Sequence, residues 1–398
     1  MLLNLGGTIR SRSPEETLAQ LLPLLPMFGI TRVMAQEGLG ESRIPVSISC
    51  RPNSRLLSTS QGKGITRALA DVSAIMESIE IFHVERMPPP EVVMSTVEMR
   101  RSGRRFLEPE TLALIPSRRS LFNENEPVGW LTFRRLRDDE PVMAPRFQFD
   151  LDRASPDKEM SMHAFDVSSN GLASGNTVEE ALVHGLYELI ERYCVCEYMR
   201  LDLDQRRARA FDMSSVVDVP HIEELKALVV DAGFRLMVRA VDGPLGIPVF
   251  RVKMTAVERV GDRTPQVDGY GAHYMPEVAL SRAITEAVQV RITYITGSRD
   301  DIFPRAYVHL DPATLTVFPP QQPVVPEKVS WADIPRPPRL DSFRTVIDWT
   351  LDRLERHGFT DICYYNHQRP EYGNIPVVSV VGPGLHYDRK VFHAIEQE

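Results

Sequence analysis

Cysteine is scarce in this chain: four in 398 residues, at Cys50, Cys194, Cys196 and Cys363. None forms a CxxC pair, so neither a disulfide framework nor a cysteine zinc site is indicated, and a reducing cytoplasm fits. Long apolar runs are missing too. The stretch LLPLLPMFGI at 21–30 is too short to span a bilayer and is broken by Pro23 and Pro26. It also lacks the basic start and cleavage site of a signal peptide, so no membrane association is expected. Basic charge is in deficit: 46 Lys and Arg against 54 Asp and Glu give a net charge of −8, which argues against a nucleic-acid role. A Walker A loop is absent as well. The loop SQGKGI at 60–65 has Leu57 where the first glycine of that motif belongs, and Gly64 where its Ser or Thr belongs. What remains is an ordinary globular composition, 43% hydrophobic and 25% charged. The length suits two or three domains, or one large interwoven one.

Against this background three apolar helical stretches carry acids. Glu77 and Glu80 lie in SAIMESIE, Glu188 and Glu191 in GLYELIER, and Glu286 with Gln289 in AITEAVQ. Each pair belongs to an i, i+4, i+7 set: Ser73/Glu77/Glu80, His184/Glu188/Glu191 and Arg282/Glu286/Gln289. That spacing places each set on one side of its helix. Glu180 extends the second face. Carboxylates in apolar helices are costly unless paired or metal-bound. If the helices converge, Glu77, Glu80, Glu180, Glu188, Glu191 and Glu286 would repel one another without cations. Oxygen-only ligands suit Mg²⁺, which also takes water and phosphate. Lys63, Arg192 and Arg282 stand nearby in sequence, and bases beside metal-binding acids suit a magnesium-bound triphosphate. The glycines of SQGKGI permit close backbone approach to phosphate.

Plainer readings stand beside these. Glu180 follows Thr177 by three and could complete a capping box. Glu77 and Glu80 could form a solvated edge, although Ile75, Met76 and Ile79 flank them. Arg192 and Arg282 could make structural ion pairs. His163, His184 and His273 could serve as bases or simply be structural. Cys194 and Cys196 do not share a helix face and read as buried structure. Asn170 and Gly171 could be turn residues.

A weak internal repeat organises the chain. Residues 28–50, 233–254 and 358–381 each read as a strand, a hairpin loop and an Ile-Pro-Val strand, after helical patterns at 14–27, 220–232 and 341–357. Ser13, Pro14 and Glu16 form a capping-box start, and Gly233 and Gly358 sit where helix C-caps belong. Acidic helices follow the first two units at 64–86 and 276–296, and a short helical pattern at 388–397 follows the third. The helix at 178–199 stands outside the repeat. Residues 105–150 lack a clean period and read as loops or short strands. The run 318–338 is a proline-rich connection. The expected fold is α+β, with repeated helix-strand-hairpin units and mixed or antiparallel sheets. Its helices converge on a central nucleotide site. Residues 1–398 form one interwoven catalytic domain, within which 339–398 is a C-terminal helix-hairpin unit.

The chain resembles the YcaO family. The matching motifs are SQGKG at 60–64, SAIMESIE at 73–80, SNGLASGNTVEEAL at 169–182, LYELIER at 186–192, GAHYMPEVALSRAITEAVQVR at 271–291 and PVVSVVGPGL at 376–385. They occur in family order and are specific together. The resemblance implies an ATP- and Mg²⁺-dependent enzyme acting on peptide backbone amides. It implies that Glu77, Glu80, Glu180, Glu188, Glu191 and Glu286 bind magnesium. Ser73, Asn170, Arg192, Arg282 and Gln289 would contact the nucleotide. Arg10 and Thr17 match loosely positions where the family places an early Lys and Ser, and Lys63 lies in a matched loop. Glu188, Glu191 and Arg282 are the expected catalytic residues.

Within the resemblance, two products are open. Attack by a neighbouring Cys, Ser or Thr of the substrate gives an azoline; attack by sulfide gives a thioamide. Many azoline-forming members end in Pro-x-Pro-x-Pro, whereas this chain ends KVFHAIEQE. Its opening LNLGGTIRSRSPEETL resembles members paired with a TfuA-type partner, which are linked to thioamide formation. The expectation is therefore thioamidation of a precursor peptide with a separate TfuA-like partner. Azoline formation is the alternative, and a non-catalytic nucleotide-binding scaffold is a third. No leader-recognition domain is evident, and homodimerisation stays open.

Overall fold

A computed structural model describes residues 2–36, 38–39, 42–152, 160–257, 266–297, 299, 302, 329–385 and 387. The expected helical pattern at 388–397 and residues 318–328 of the proline-rich run lie outside them. The chain opens with a two-residue hairpin, β1 (Leu3–Asn4) and β2 (Ile9–Arg10), then α1 (Pro14–Leu21). Ser13 caps α1 in a full capping box with Glu16, and Pro14 fills the first turn, where its missing N–H costs nothing. Strands β3 (Arg32–Ala35), β4 (Val46–Cys50) and β5 (Thr59–Lys63) form an antiparallel meander, followed by α2 (Arg67–Val84). Next come β6 (Val92–Met94), α3 (Thr96–Arg101), β7 (Val128–Arg135), β8 (Pro141–Pro145), β9 (Leu172–Ser174), α4 (Val178–Arg200) and α5 (Leu203–Arg207).

The second unit repeats the first. Helix α6 (Pro220–Asp231) ends before Gly233, whose φ of 80° lets it close the helix. The meander β10 (Phe234–Ala240), β11 (Val249–Ala256) and β12 (Gln266–Ala272) then leads into α7 (Pro276–Thr296). In both units the long helix lies directly on the last strand. A Cβ on Gly62 of β5 would sit 2.1 Å from the Ala74 nitrogen of α2, and one on Gly271 of β12 would sit 2.1 Å from the Ala279 oxygen of α7. No side chain larger than hydrogen fits at either contact, which is why SQGKG and DGYGA carry glycine there.

The third unit departs from that plan. Helix α8 (Phe343–Arg356) precedes β13 (Cys363–Asn366) and β14 (Val377–Val381), but this hairpin builds no sheet of its own. It lies inside a six-stranded sheet ordered β6-β7-β13-β14-β9, with β8 on β7. The pairings among these named strands are antiparallel. The architecture is thus α+β with antiparallel sheets. The segment expected to be loops or short strands supplies β7 and β8. Its missing alternation has a physical cause: most of β7 is buried on both faces, so VGWLTF needs no polar side.

Helix α4 runs through the main core. Leu186, Ile190 and Cys194 are fully enclosed, and the Tyr187 hydroxyl bonds that of Thr350 on α8 at 2.9 Å. Cys194 and Cys196 are both buried, as expected. Among the described residues, no helix is long and apolar enough to cross a membrane.

Candidate nucleotide and metal site

Three helices bring their polar faces to one place. Thr66 and Thr177 cap α2 and α4 by accepting from the backbone nitrogens of Leu69 and Glu180, which fixes the rotational phase of the acids behind them. Glu80 on α2 accepts from the Ser174 hydroxyl of β9 at 2.6 Å. Glu77, one turn earlier, accepts from the Gln61 nitrogen of β5 at 3.1 Å. Ser73 completes that face, half-buried next to the Gly62 contact. On α4, Glu188 accepts from the Gly171 nitrogen at 3.3 Å, and Glu191 from the Ala272 nitrogen of β12 at 3.2 Å. On α7, Glu286 pairs with Lys63 of β5, and Gln289 donates to the Gln61 carbonyl at 2.8 Å.

The electrostatics tie these faces together across helices. Burial pushes the Glu80 carboxyl up to about 8, and the neighbouring charges of Glu77 and Glu188 add to the effect. Burial likewise pushes Glu188 up to about 7, with Glu191 adding to it and Arg192 opposing. Glu191 is raised by burial and then by Glu286. Burial would raise Glu286 as well, but Lys63, Arg192 and Arg282 hold it below the ordinary carboxylate value. Burial opposes the Arg192 charge, yet Glu191, Glu286 and Glu188 together keep its pKa above the ordinary one. So α4 faces α2 through Glu188 and Glu80, and α7 through Glu191 and Glu286.

A fourth element closes one side. Glu180, 2% exposed, accepts from the Ser11 nitrogen at 2.9 Å and the Ser11 hydroxyl at 2.7 Å. Arg10 lies 3.5 Å from the same carboxylate, and the Asn176 amide donates to it. Thr17 donates to Asn176 Oδ1 at 2.9 Å. Glu180 takes only half of a capping box: its backbone donates to Thr177, while its side chain turns to Ser11. Arg10 is lowered by burial and by Arg282, and sustained by Glu180 and Glu80. Arg282 donates to His184 Nε2 at 3.3 Å. Burial and the charge of Arg282 hold His184 and His273 well below the usual imidazole value, so both stay neutral. His163 is exposed.

The sequence singled out Arg10, Thr17, Lys63, Arg192, Arg282, Gln289 and the six glutamates, and the fold gathers them around α2, α4 and α7. Sequence reasoning passed over Ser11, Ser174 and Asn176, small polar residues whose positions give no signal of a long-range partner. Among the described residues, no three His, Cys, Asp or Glu groups stand in ready-made metal geometry. The acids instead reach Lys63, Ser174 and backbone nitrogens. The donor set is nevertheless all oxygen. Burial and neighbouring acids raise the Glu80 and Glu188 carboxyls, a condition a divalent cation would relieve. Asn170 Oδ1 is buried without a hydrogen-bond partner. These residues fit Mg²⁺ with a phosphate-bearing nucleotide.

Comparison with known proteins agrees with that chemistry. Residues 61–386 match the family described as YcaO cyclodehydratase, ATP- and Mg²⁺-binding. A protein of the tfuA 3′ region of Rhizobium leguminosarum bv. trifolii is 33% identical over 395 residues, covering 95% of this chain and 89% of its own. A Methanothermobacter thermautotrophicus protein is 31% identical over 385 residues, covering 94% of each. Among solved structures, YcaO from Methanopyrus kandleri bound with AMPPCP and Mg²⁺ superposes with a TM-score of 0.69 at 23% identity, over 98% of this chain and 95% of that one. A heterocyclase in complex with substrate and cofactor superposes with a TM-score of 0.74 at 20% identity over 95% of this chain. The present chain spans about half of that protein, 53%. At these identities the structural likeness establishes the fold.

Proposed function

The chain belongs to the YcaO family, which binds ATP and Mg²⁺, and on that premise we propose that it activates a peptide backbone amide and exchanges its oxygen for sulfur. The observation that carries this reading is the meeting of acids across helices: Glu188 with Glu80, and Glu191 with Glu286, among Lys63, Arg192 and Arg282. A pure scaffold has no need of so many costly carboxylates.

In this proposal Glu77, Glu80, Glu180, Glu188, Glu191 and Glu286 hold Mg²⁺, with Glu180 also tethering Arg10 and Ser11. Ser73, Asn170, Arg192, Arg282, Gln289, Lys63, Arg10 and Thr17 hold the nucleotide. Bound ATP supplies the phosphoryl group that turns a reluctant amide oxygen into a leaving group. Arg192, Arg282 and Lys63 place positive charge where phosphate charge accumulates. Neutral His184 accepts from Arg282 and so orients that guanidinium. Glu188 and Glu191 of α4, which face α2 and α7, and Arg282 of α7, which reaches α4 at His184, are the proposed catalytic residues.

Sulfur as the nucleophile is favoured by the relative from a tfuA 3′ region. A separate TfuA-like partner would deliver sulfur or present the peptide. We further take residues 1–398 as one catalytic unit, with 318–338 as a connection and 339–398 as its closing helix and hairpin; the insertion of β13 and β14 between β7 and β9 supports this. The family description as a cyclodehydratase keeps azoline formation as the second reading. The test is mass spectrometry of a precursor peptide encoded beside this gene, incubated with the chain, a TfuA-like protein, Mg²⁺, ATP and sulfide. A product heavier by the difference between sulfur and oxygen supports thioamidation. A product lighter by one water supports the azoline. Absence of both, and of Mg²⁺-dependent phosphate release, contradicts the enzyme reading.

A further inference from the structure

The first two units match residue for residue where strand meets helix. Gly62, Ser73, Glu77 and Glu80 of the first correspond to Gly271, Arg282, Glu286 and Gln289 of the second, each 209 positions later. The packing follows the same register. A Cβ on Gly62 would meet the Ala74 nitrogen and the Ala70 oxygen, and one on Gly271 would meet the Ala283 nitrogen and the Ala279 oxygen. A plan used twice supplies its own comparison. A buried polar bond present at one crossing and missing at the other is not demanded by the plan, and burying polar groups is costly.

Gln61 of β5 and Thr293 of α7 make such a bond. Both are buried, and the Thr293 hydroxyl bonds the Gln61 side-chain oxygen across the seam between the units. The same hydroxyl lies 2.8 Å from the Gln289 carbonyl. At the reciprocal crossing, from β12 to α2, the corresponding residues are Tyr270 and Val84, also buried. Val84 has no side-chain donor or acceptor, so that crossing carries no such bond.

The Gln61 backbone works on both sides of the seam. Its nitrogen donates to Glu77 of α2 at 3.1 Å, and its carbonyl accepts from the Gln289 side chain of α7 at 2.8 Å. Two residues on, Lys63 donates to Glu286 of α7. Gln61 thus touches an acid of one unit and the amide three residues beyond an acid of the other, and Thr293 anchors it to the second.

We propose that Gln61 and Thr293 are positioning residues, whose bond sets the separation of α2 from α7 and so the spacing at which their acids hold magnesium. They act through Glu77, Gln289 and Lys63. The assignment rests on the metal reading above and deepens it.

Packing and positioning make opposite demands on Thr293. Packing needs its methyl group and positioning its hydroxyl. Thr293→Val keeps the shape and removes the hydroxyl; Thr293→Ser keeps the hydroxyl and removes the methyl. Gln61→Leu removes the acceptor on the other side. Mn²⁺ binding to the full chain with AMPPCP is followed by electron paramagnetic resonance, with folding checked by circular dichroism. Thr293→Val and Gln61→Leu should each weaken Mn²⁺ about tenfold. The double variant should be no worse than the weaker single variant, because both break one bond. Thr293→Ser should stay within about twofold of wild type. Loss in Thr293→Ser with retention in Thr293→Val assigns the residue to packing and overturns the proposal. Losses that multiply in the double variant, or wild-type affinity throughout, also overturn it. A wild type that binds no Mn²⁺ overturns the metal reading itself, and this inference with it.

Discussion

Lys63, the last residue of β5, donates to the Glu286 carboxylate of α7, 223 positions away in sequence. It is a protein cation on an acid that also faces Glu191. Lys63→Met removes the hydrogen-bonded counter-charge of that half-buried acid and leaves it only the charges of Arg192 and Arg282. The metal-free variant is expected to be less stable by about 1–2 kcal/mol. Mg²⁺ alone should restore more of its melting temperature than it adds to wild type. Equal Mg²⁺ effects on both proteins would show that Lys63 does not occupy a cation's place.

Glu188→Gln keeps side-chain volume and can still accept from the Gly171 nitrogen. Phosphate release with peptide and partner is expected to fall about a hundredfold or more, with circular dichroism and melting preserved. Turnover close to wild type would remove Glu188 from the catalytic set.

The pH response follows from the raised carboxyls. Burial holds Glu80 near 8 and Glu188 near 7, against an ordinary value of 4.5. Between those values the folded chain keeps protons that the unfolded chain has lost. The contribution of these two acids to metal-free stability therefore falls as pH rises from about 4.5 towards 8. Glu80→Gln should raise metal-free stability at pH 8 by about 1–3 kcal/mol, and Mg²⁺ with ATP should flatten the wild-type slope. A metal-free difference between Glu80→Gln and wild type that does not grow from pH 5 to pH 8 would contradict the burial of Glu80.

His83 gives the opposite slope at lower pH. Burial holds its imidazole down near 4, and its Nδ1 bonds the Ile79 carbonyl at 2.8 Å. Between about 4 and 6.5 the unfolded chain binds a proton at His83 that the folded chain refuses, so the contribution of His83 to stability drops as pH falls through that window. His83→Leu should shallow this acid limb in a melting series; an unchanged limb would assign it to other groups.

The acid helices were legible because their periodicity is strong and Thr66, Thr177 and Pro276 mark their starts. The first two strands of each meander were legible as a hairpin, but the third was not: SQGKGI reads as a loop suited to phosphate, whereas Thr59–Lys63 is strand β5 and its Gly62, like Gly271 of β12, lets strand and helix touch. The third hairpin was placed as an element but not as a member of the large sheet, because the pairing of β13 with β7 joins residues far apart in sequence. Strand β7 escaped notice because burial on both faces erased its alternation. At the site, the glutamates announced themselves by lying in apolar surroundings. Ser11, Ser174 and Asn176 did not, because small polar residues in Gly- and Ser-rich segments look alike whether they cap a turn or hold a carboxylate.

The proposed convergence of three helices on bound magnesium is tested most directly with Mn²⁺ in place of Mg²⁺. Its binding in the presence of AMPPCP can be followed by electron paramagnetic resonance in wild type, Glu80→Gln, Glu191→Gln and Glu286→Gln, one acid from each of α2, α4 and α7. Each variant should weaken Mn²⁺ by about tenfold or more, with folding intact. Wild-type Mn²⁺ affinity after loss of the acid from any one helix would contradict a site shared among the three.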